Sequence, residues 1–211
     1  MEGSAPVIDS TDPRVRFGLY LRPSYEMSRA IAGMHELMRR QFGQTRAGNY
    51  MPHATIGFFQ TNAPWQDLVA TVTPVLAGRP SFVVENHGSV AMGSSVVLDI
   101  HHDDEGGVNA ALQALHDDAH AALTPLIADD LADRFRWPKE MFQAHMTLAQ
   151  TIRPAWLRDE VLAFARAAEP IGPRRFVAEH VHLYAVLSDD WDAEDWSDSL
   201  TWDLLASWRL G

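Results

Sequence analysis

Hydrophobic and polar positions along this chain follow two periods that take turns. Val15, Phe17, Leu19 and Leu21 are separated by Arg16, Gly18, Tyr20 and Arg22, the two-residue period of a strand over about 15–22. After Pro23 and Ser24 the apolar positions Met27, Ile31, Met34, Leu37 and Met38 take helical spacing, which runs to Phe42 and stops at Gly43. A strand near 50–59, a helix over 63–76 closed by Gly78 and Pro80, and a strand over 81–85 complete the first half. The second half repeats the order: strand 95–100, helix 107–124, strand 142–150, helix 155–168, strand 176–187 and a last strand over 201–210. The pattern predicts an α+β chain with repeats at about 15–87 and 94–210. Residues 1–13, polar and holding Pro6 and Pro13, read as an N-terminal arm. No linker separates the halves, so 14–211 reads as a single domain of two lobes that share a core.

Composition narrows what such a chain does. It has 211 residues, 46% of them hydrophobic, yet no apolar run reaches the length of a membrane span, so no membrane partner is expected. There is no cysteine, which excludes disulfides, thiolate metal sites and a cysteine nucleophile. The N-terminus lacks the basic and apolar parts of a secretory signal, which makes the cytoplasm the expected compartment; a monomer is the expected state. No glycine-rich phosphate or dinucleotide loop is present. Lys139 is the sole lysine, and 17 basic against 28 acidic residues give a net charge of −11. An acidic chain without a Lys/Arg run is unsuited to holding long nucleic acid.

The chemistry sits in the middle strand of each half. One reads Pro52-His53-Ala54-Thr55-Ile56-Gly57-Phe58, the other Ala144-His145-Met146-Thr147-Leu148. Three H-x-[ST] tripeptides occur where composition alone gives about one. His87-Gly88-Ser89 lies in turn-like sequence and reads as chance. In the other two the His and Thr share one strand face, while Ala54, Ile56 and Phe58, and likewise Met146 and Leu148, fill the opposite one. Two imidazoles, each able to hold or release a proton near neutral pH, are what cleavage of a phosphodiester requires: one takes a proton from the attacking oxygen and the other gives one to the leaving oxygen. The neighbouring hydroxyls can donate to non-bridging phosphate oxygens.

With these two motifs about ninety residues apart in matching element orders, the chain over about 15–210 resembles the two-histidine (2H) phosphoesterase superfamily. Its members include bacterial 2′-5′ RNA ligase-like proteins and 2′,3′-cyclic nucleotide phosphodiesterases. The resemblance implies a bilobal α+β fold with two lobes related by a pseudo-twofold axis, each a mainly antiparallel sheet flanked by helices, around a central cleft. It implies that His53 and His145 are the acid and base, that Thr55 and Thr147 hold the phosphate, and that neither a metal nor another cofactor takes part. It also implies 2′,3′-cyclic phosphates or 2′-5′ linkages as substrates. The acidity of this chain favours a nucleotide or short oligonucleotide carrying a phosphodiester over a longer RNA. Spacing leaves open which histidine is the base. Two alternatives share this fold: a non-catalytic nucleotide-binding protein and an RNA 2′-5′ ligase.

Strand parity supplies further candidates. If Phe17, Leu19 and Leu21 face the core, Tyr20 and Arg16 face the cleft. If Val181, Leu183 and Ala185 face the core, His182 and Tyr184 face the cleft, where a tyrosine can stack on a base. Tyr20, His182 and Tyr184 are therefore candidate substrate-binding residues. His101-His102-Asp103-Asp104 has metal-ligating composition but falls where a strand gives way to a helix, and acidic residues there favour the helix N-terminus. It is the basis of a metal-dependent hydrolase alternative. His116 and His120, four apart on one helix, read as surface residues, and the acidic stretch 189–198 reads as a solvated loop.

Overall fold

The structure, a computed structural model, describes residues 8–128 and 139–211. Strand β1 (Val15–Arg22) leads into helix α1 (Tyr25–Phe42), whose first turn is capped by the Ser24 hydroxyl accepting from the Met27 amide at 3.3 Å. The helix ends at Gly43, whose φ of 66° is the left-handed conformation that glycine adopts without steric cost. Its apolar stripe buries Met27, Ile31, Met34 and Met38, as the spacing predicts, but leaves Leu37, the fifth position of that pattern, exposed. A short 3-10 turn (Arg46–Asn49) precedes β2 (Ala54–Phe59) and α2 (Trp65–Leu76). Strands β3 (Phe82–Glu85), β4 (Ser89–Met92) and β5 (Ser95–Asp99) follow. Helix α3 (Ala110–Leu123) starts at Asn109, whose side chain accepts from the Leu112 amide. The remaining elements are β6 (His145–Ala149), α4 (Ala155–Ala167), β7 (Arg175–Ala178), β8 (His180–Leu187) and β9 (Thr201–Arg209).

Two strand boundaries depart from the sequence expectation. The segment around His87-Gly88-Ser89 is only half turn: Gly88 has a φ of 85°, but Ser89 opens β4, a short strand paired antiparallel with β5. The strand expected over 176–187 is broken at Glu179, and its two pieces serve different sheets. Residues 1–7 of the expected N-terminal arm lie outside the described residues.

All strand pairings among the described residues are antiparallel. One sheet has the order β2-β1-β8-β9, a second β4-β5-β6, and β3 pairs with β7. The final strands of the chain thus complete the sheet that its first strand begins. The strands carrying the two motifs, β2 and β6, are each at the edge of their sheet and touch one another. Helix α1 packs on β6 and α3 packs on β2, so each half of the chain buttresses the motif strand of the other. A continuous core joins the lobes, including Phe17, Leu19 and Leu21 of β1, Leu112 and Leu115 of α3, Met146 and Leu148 of β6, and Val181 and Leu183 of β8. A smaller cluster, Tyr20, Tyr184, Val186, Trp191 and Leu200, covers the other face of the four-stranded sheet. No described helix is long and apolar enough to cross a membrane.

Candidate active site

His53 immediately precedes β2, and His145 is the first residue of β6. Each ring is fixed by the same local bond: Nδ1 of His53 lies 2.7 Å from the Met51 carbonyl, and Nδ1 of His145 lies 2.7 Å from the Gln143 carbonyl. A carbonyl oxygen only accepts, so Nδ1 carries the proton in both rings, and Nε2 of each is left for the cavity that both residues line. Thr55 and Thr147 line the same cavity, which measures about 280 Å³. The structure thereby brings both H-x-T motifs, 92 residues apart, to one site.

Both motif strands carry a β-bulge immediately after the threonine. In β2 the register against β1 passes from Tyr20↔Thr55 to Leu19↔Gly57, leaving Ile56 unmatched. In β6 the register against β5 passes from Val97↔Thr147 to Val96↔Ala149, leaving Leu148 unmatched. The bulge corrects one sequence expectation. Ala54 and Ile56 are buried in the core as parity predicts, but beyond the extra residue the alternation inverts, so Phe58 lines the cavity and Phe59 takes the core position.

At these edges a histidine from the opposite half serves a strand carbonyl. His35 of α1 donates from Nε2 to the Thr147 carbonyl at 2.9 Å, and His116 of α3 donates from Nδ1 to the Ile56 carbonyl at 2.8 Å. His116 is not a surface residue: it is fully buried and stacked on Phe142, with ring centroids 3.9 Å apart. The apolar stripe of α3 is wide enough to include it, and the strand carbonyl satisfies its Nδ1–H.

Tyr20 lines the cavity and packs on His53 with ring centroids 4.1 Å apart. Its ring lies back along β1 over Gly18, where any Cβ would fall inside it, so the glycine makes the space that the tyrosine fills. His182 and Tyr184 share the Tyr20 face of the sheet, as parity predicts, but do not line the cavity. Tyr184 stands 5.8 Å from Tyr20 and 5.5 Å from Trp202, ring to ring, and its hydroxyl lies 3.1 Å from Nδ1 of His182. They form a row behind Tyr20. Arg16, on that same face, is held over the Trp191 ring, 5.4 Å from its centroid.

The remaining wall comes from residues the sequence does not single out: Tyr50, Met51, Gln150, His35 and Trp196. Trp196 belongs to the acidic stretch 189–198, which is not simply solvated. Its carboxylates are exposed, but Trp191 is buried, donating from its indole to the Arg14 carbonyl at 2.7 Å. Trp196 reaches the cavity, its carbonyl accepting from the Ser188 hydroxyl at 2.7 Å while the Ser197 carbonyl accepts from the Asn49 side-chain amide at 2.9 Å. Arg46–Asp198 at 2.8 Å and Arg153–Glu194 at 2.6 Å lie on the outer side. Two tryptophans amid six carboxylates are the signal that identifies it as a wall rather than a tail.

The electrostatics of the two histidines differ. Removal from water pushes His53 down to about 4, with the charges of His145 and His35 acting in the same direction against its Met51 bond. His145 is also held below its ordinary value by desolvation, but the Gln143 carbonyl and the Asp99 carboxylate pull it upward. Asp99 is the register partner of His145 across the β5–β6 ladder. Its own carboxylate accepts from the His101 amide and from Nδ1 of His102, both at 2.9 Å. The His101-His102-Asp103-Asp104 cluster is thus occupied by local bonds, with Asp103 accepting from the Glu105 and Gly107 amides. Among the described residues no three His, Cys, Asp or Glu side chains are placed to share a metal ion.

No protein-family model matches the chain, and no curated protein matches it in sequence. Solved structures do match in fold. The protein TT0787 of Thermus thermophilus superposes with a TM-score of 0.62 at 14% identity, covering 92% of this chain and 97% of that one. LigT of E. coli, solved with 3′-AMP, gives 0.53 at 16% identity over 93% of this chain and 98% of its own. A structure described as a phosphoesterase gives 0.52 at 16% identity over 92% and 98%. The matches run over nearly the whole of both chains, and the chain has the two-lobed α+β fold of the LigT-type phosphoesterases.

Proposed function

We propose that this protein is a phosphodiesterase of the two-histidine type, acting without a metal or other cofactor on 2′,3′-cyclic phosphates or 2′-5′-linked short oligonucleotides. The observation that carries this reading is the matched pair of imidazoles, both protonated at Nδ1 by a backbone bond and both lining one cavity beside a threonine. In the hydrolytic direction Nε2 of neutral His53 takes a proton from water as its oxygen bonds to phosphorus. The bond from phosphorus to the leaving ribose oxygen breaks, and protonated His145 delivers its Nε2 proton to that oxygen. The assignment follows from charge: His53 is the more strongly held neutral, whereas Asp99 favours the cationic form of His145. The Thr55 and Thr147 hydroxyls donate to the non-bridging oxygens, whose charge is redistributed in the transition state.

The substrate class rests on the cavity walls. Tyr50 and Trp196 offer aromatic faces to a nucleobase, and among the described residues no lysine or arginine lines this cavity, which suits the single charge of a diester. The LigT structures with 3′-AMP, NADP+ and ATP show small nucleotides on a protein of this fold, which supports a nucleotide ligand here. The test is hydrolysis of the four nucleoside 2′,3′-cyclic phosphates and a 2′-5′ dinucleotide in excess EDTA, with products identified by phosphorus NMR. Turnover by the wild type and its absence in His53→Ala/His145→Ala is the expected result; no turnover across the panel refutes the reading.

A further inference from the structure

Beside the catalytic cavity lies a second pocket, of about 430 Å³, lined among others by Thr45, Arg46, Thr151, Arg153, Glu194 and Asp198. Three chain segments build it, and each supplies the next residue or two to the catalytic cavity: Arg46 precedes Ala47, Thr151 follows Gln150, and Glu194 and Asp198 flank Trp196. Arg46 comes from the turn before β2, which packs against β6, and Arg153 from the segment after β6, so both cations reach this pocket beside the end of β6. Each is held by one carboxylate of the acidic stretch. Arg46 donates to both oxygens of Asp198, at 2.8 and 3.4 Å, and Arg153 donates to Glu194 at 2.6 Å.

We propose that Arg46 and Arg153 form a subsite for a second phosphate group, carried by the same nucleotide whose phosphodiester sits between His53 and His145. Glu194 and Asp198 occupy the subsite in the free protein. This rests on the reading of the central cavity as a nucleotide phosphodiester site. Among the described residues the cavity itself offers a phosphate no guanidinium, whereas the adjoining pocket concentrates two of them, a pairing that bidentate phosphate recognition uses. The two pairs differ: the Arg46 and Asp198 side chains are 25% and 52% exposed and make the firmer contact, and Glu194 is the carboxylate more readily displaced. The Arg153 and Glu194 side chains are 68% and 81% exposed, and exposed pairs of this kind hold weakly against a dianion that brings three acceptors to both guanidinium groups at once. The favoured ligands are accordingly nucleotides with a terminal phosphate in addition to the diester, in preference to those with the diester alone.

The experiment compares the affinities of adenosine 2′-monophosphate and adenosine 2′,5′-bisphosphate for the full chain by titration calorimetry. The wild type should bind the bisphosphate about 10-fold more tightly at low salt, and the advantage should shrink toward none at ionic strengths on the order of 0.5 M. Arg46→Gln/Arg153→Gln should bring the ratio of the two affinities to about one. Glu194→Gln/Asp198→Asn, which removes the competing carboxylates and keeps their shape, should raise the ratio. A bisphosphate bound no more tightly than the monophosphate by both the wild type and the carboxylate variant overturns the subsite and leaves the phosphodiesterase reading standing. Binding of neither nucleotide overturns the reading of the central cavity, and the subsite with it.

Discussion

His53 and His145 make the same hydrogen bond: each donates Nδ1–H to the carbonyl two residues earlier, at 2.7 Å in both cases. Identical tautomers presented to one cavity form a matched acid and base whose difference is set by what surrounds each ring. His53 has Tyr20 against its face and no carboxylate among the influences on its titration, whereas His145 has Asp99.

Removing either ring should remove proton transfer at one end of the reaction. His53→Ala and His145→Ala are each expected to lower kcat by about 100- to 10,000-fold. Far-ultraviolet circular dichroism should be unchanged, since neither ring belongs to the main core. Wild-type turnover in either variant would take that histidine out of the mechanism.

The two titrations predict an acid-shifted bell for kcat/KM. Activity needs His53 neutral, a condition met above about 4, and His145 protonated, a condition lost as pH rises through a value held below 6.5. The optimum of the free enzyme should therefore lie on the acid side of neutrality. Asp99→Asn removes the carboxylate that raises His145, so the alkaline limb should move to lower pH while the acid limb stays. An alkaline limb that does not move would show that Asp99 does not set the titration of His145.

The same shifts act on stability. Folding holds His53 and His182 at about 4, below their ordinary 6.5, so between these values the unfolded chain binds more protons than the folded one. Stability is complete above about 6.5 and is lost as pH falls toward 4. Urea midpoints at a series of pH values should show this decline, and His182→Gln, which retains a partner for the Tyr184 hydroxyl, should show a shallower one.

The bond from α3 to the β2 edge should be worth the cost of an orphaned carbonyl. His116→Phe preserves the stack on Phe142 but leaves the Ile56 oxygen without its donor, at an expected cost of about 1–3 kcal/mol, read from urea unfolding.

Gly18 is predicted to act on catalysis through Tyr20. Gly18→Ala drives the Tyr20 ring from its place and so frees His53 to move, which is expected to lower kcat by up to about 100-fold. Tyr20→Phe keeps the ring and should retain activity near that of the wild type. Equal losses in both variants would show that the hydroxyl, rather than the ring's position, is what matters.

The alternation around Phe17, Leu19 and Leu21 and the helical spacing of Met27, Ile31, Met34 and Met38 are properties of neighbours in sequence, and they predicted β1 and α1 nearly to the residue. The pairing of His with Thr on one strand face is equally local, so both motifs could be read from the chain alone. The bulges at Ile56 and Leu148 could not: an extra residue is visible only against the strand opposite, and it is what moved Phe58 from the core to the cavity.

Composition and periodicity by themselves indicated an α+β chain and a His-Thr pair on each of two strands, whereas the expected division into two successive repeats is not how the sheets are built, since β8 and β9 join β1 and β2. The tertiary structure decided what those pairs face. It placed both at sheet edges that meet, brought His35 and His116 across from the opposite halves, and turned an acidic stretch into a wall through bonds to Arg14 and Asn49, 177 and 148 residues away. Such contacts depend on which surfaces the folded core leaves adjacent, and no local pattern of hydrophobic and polar residues encodes that adjacency.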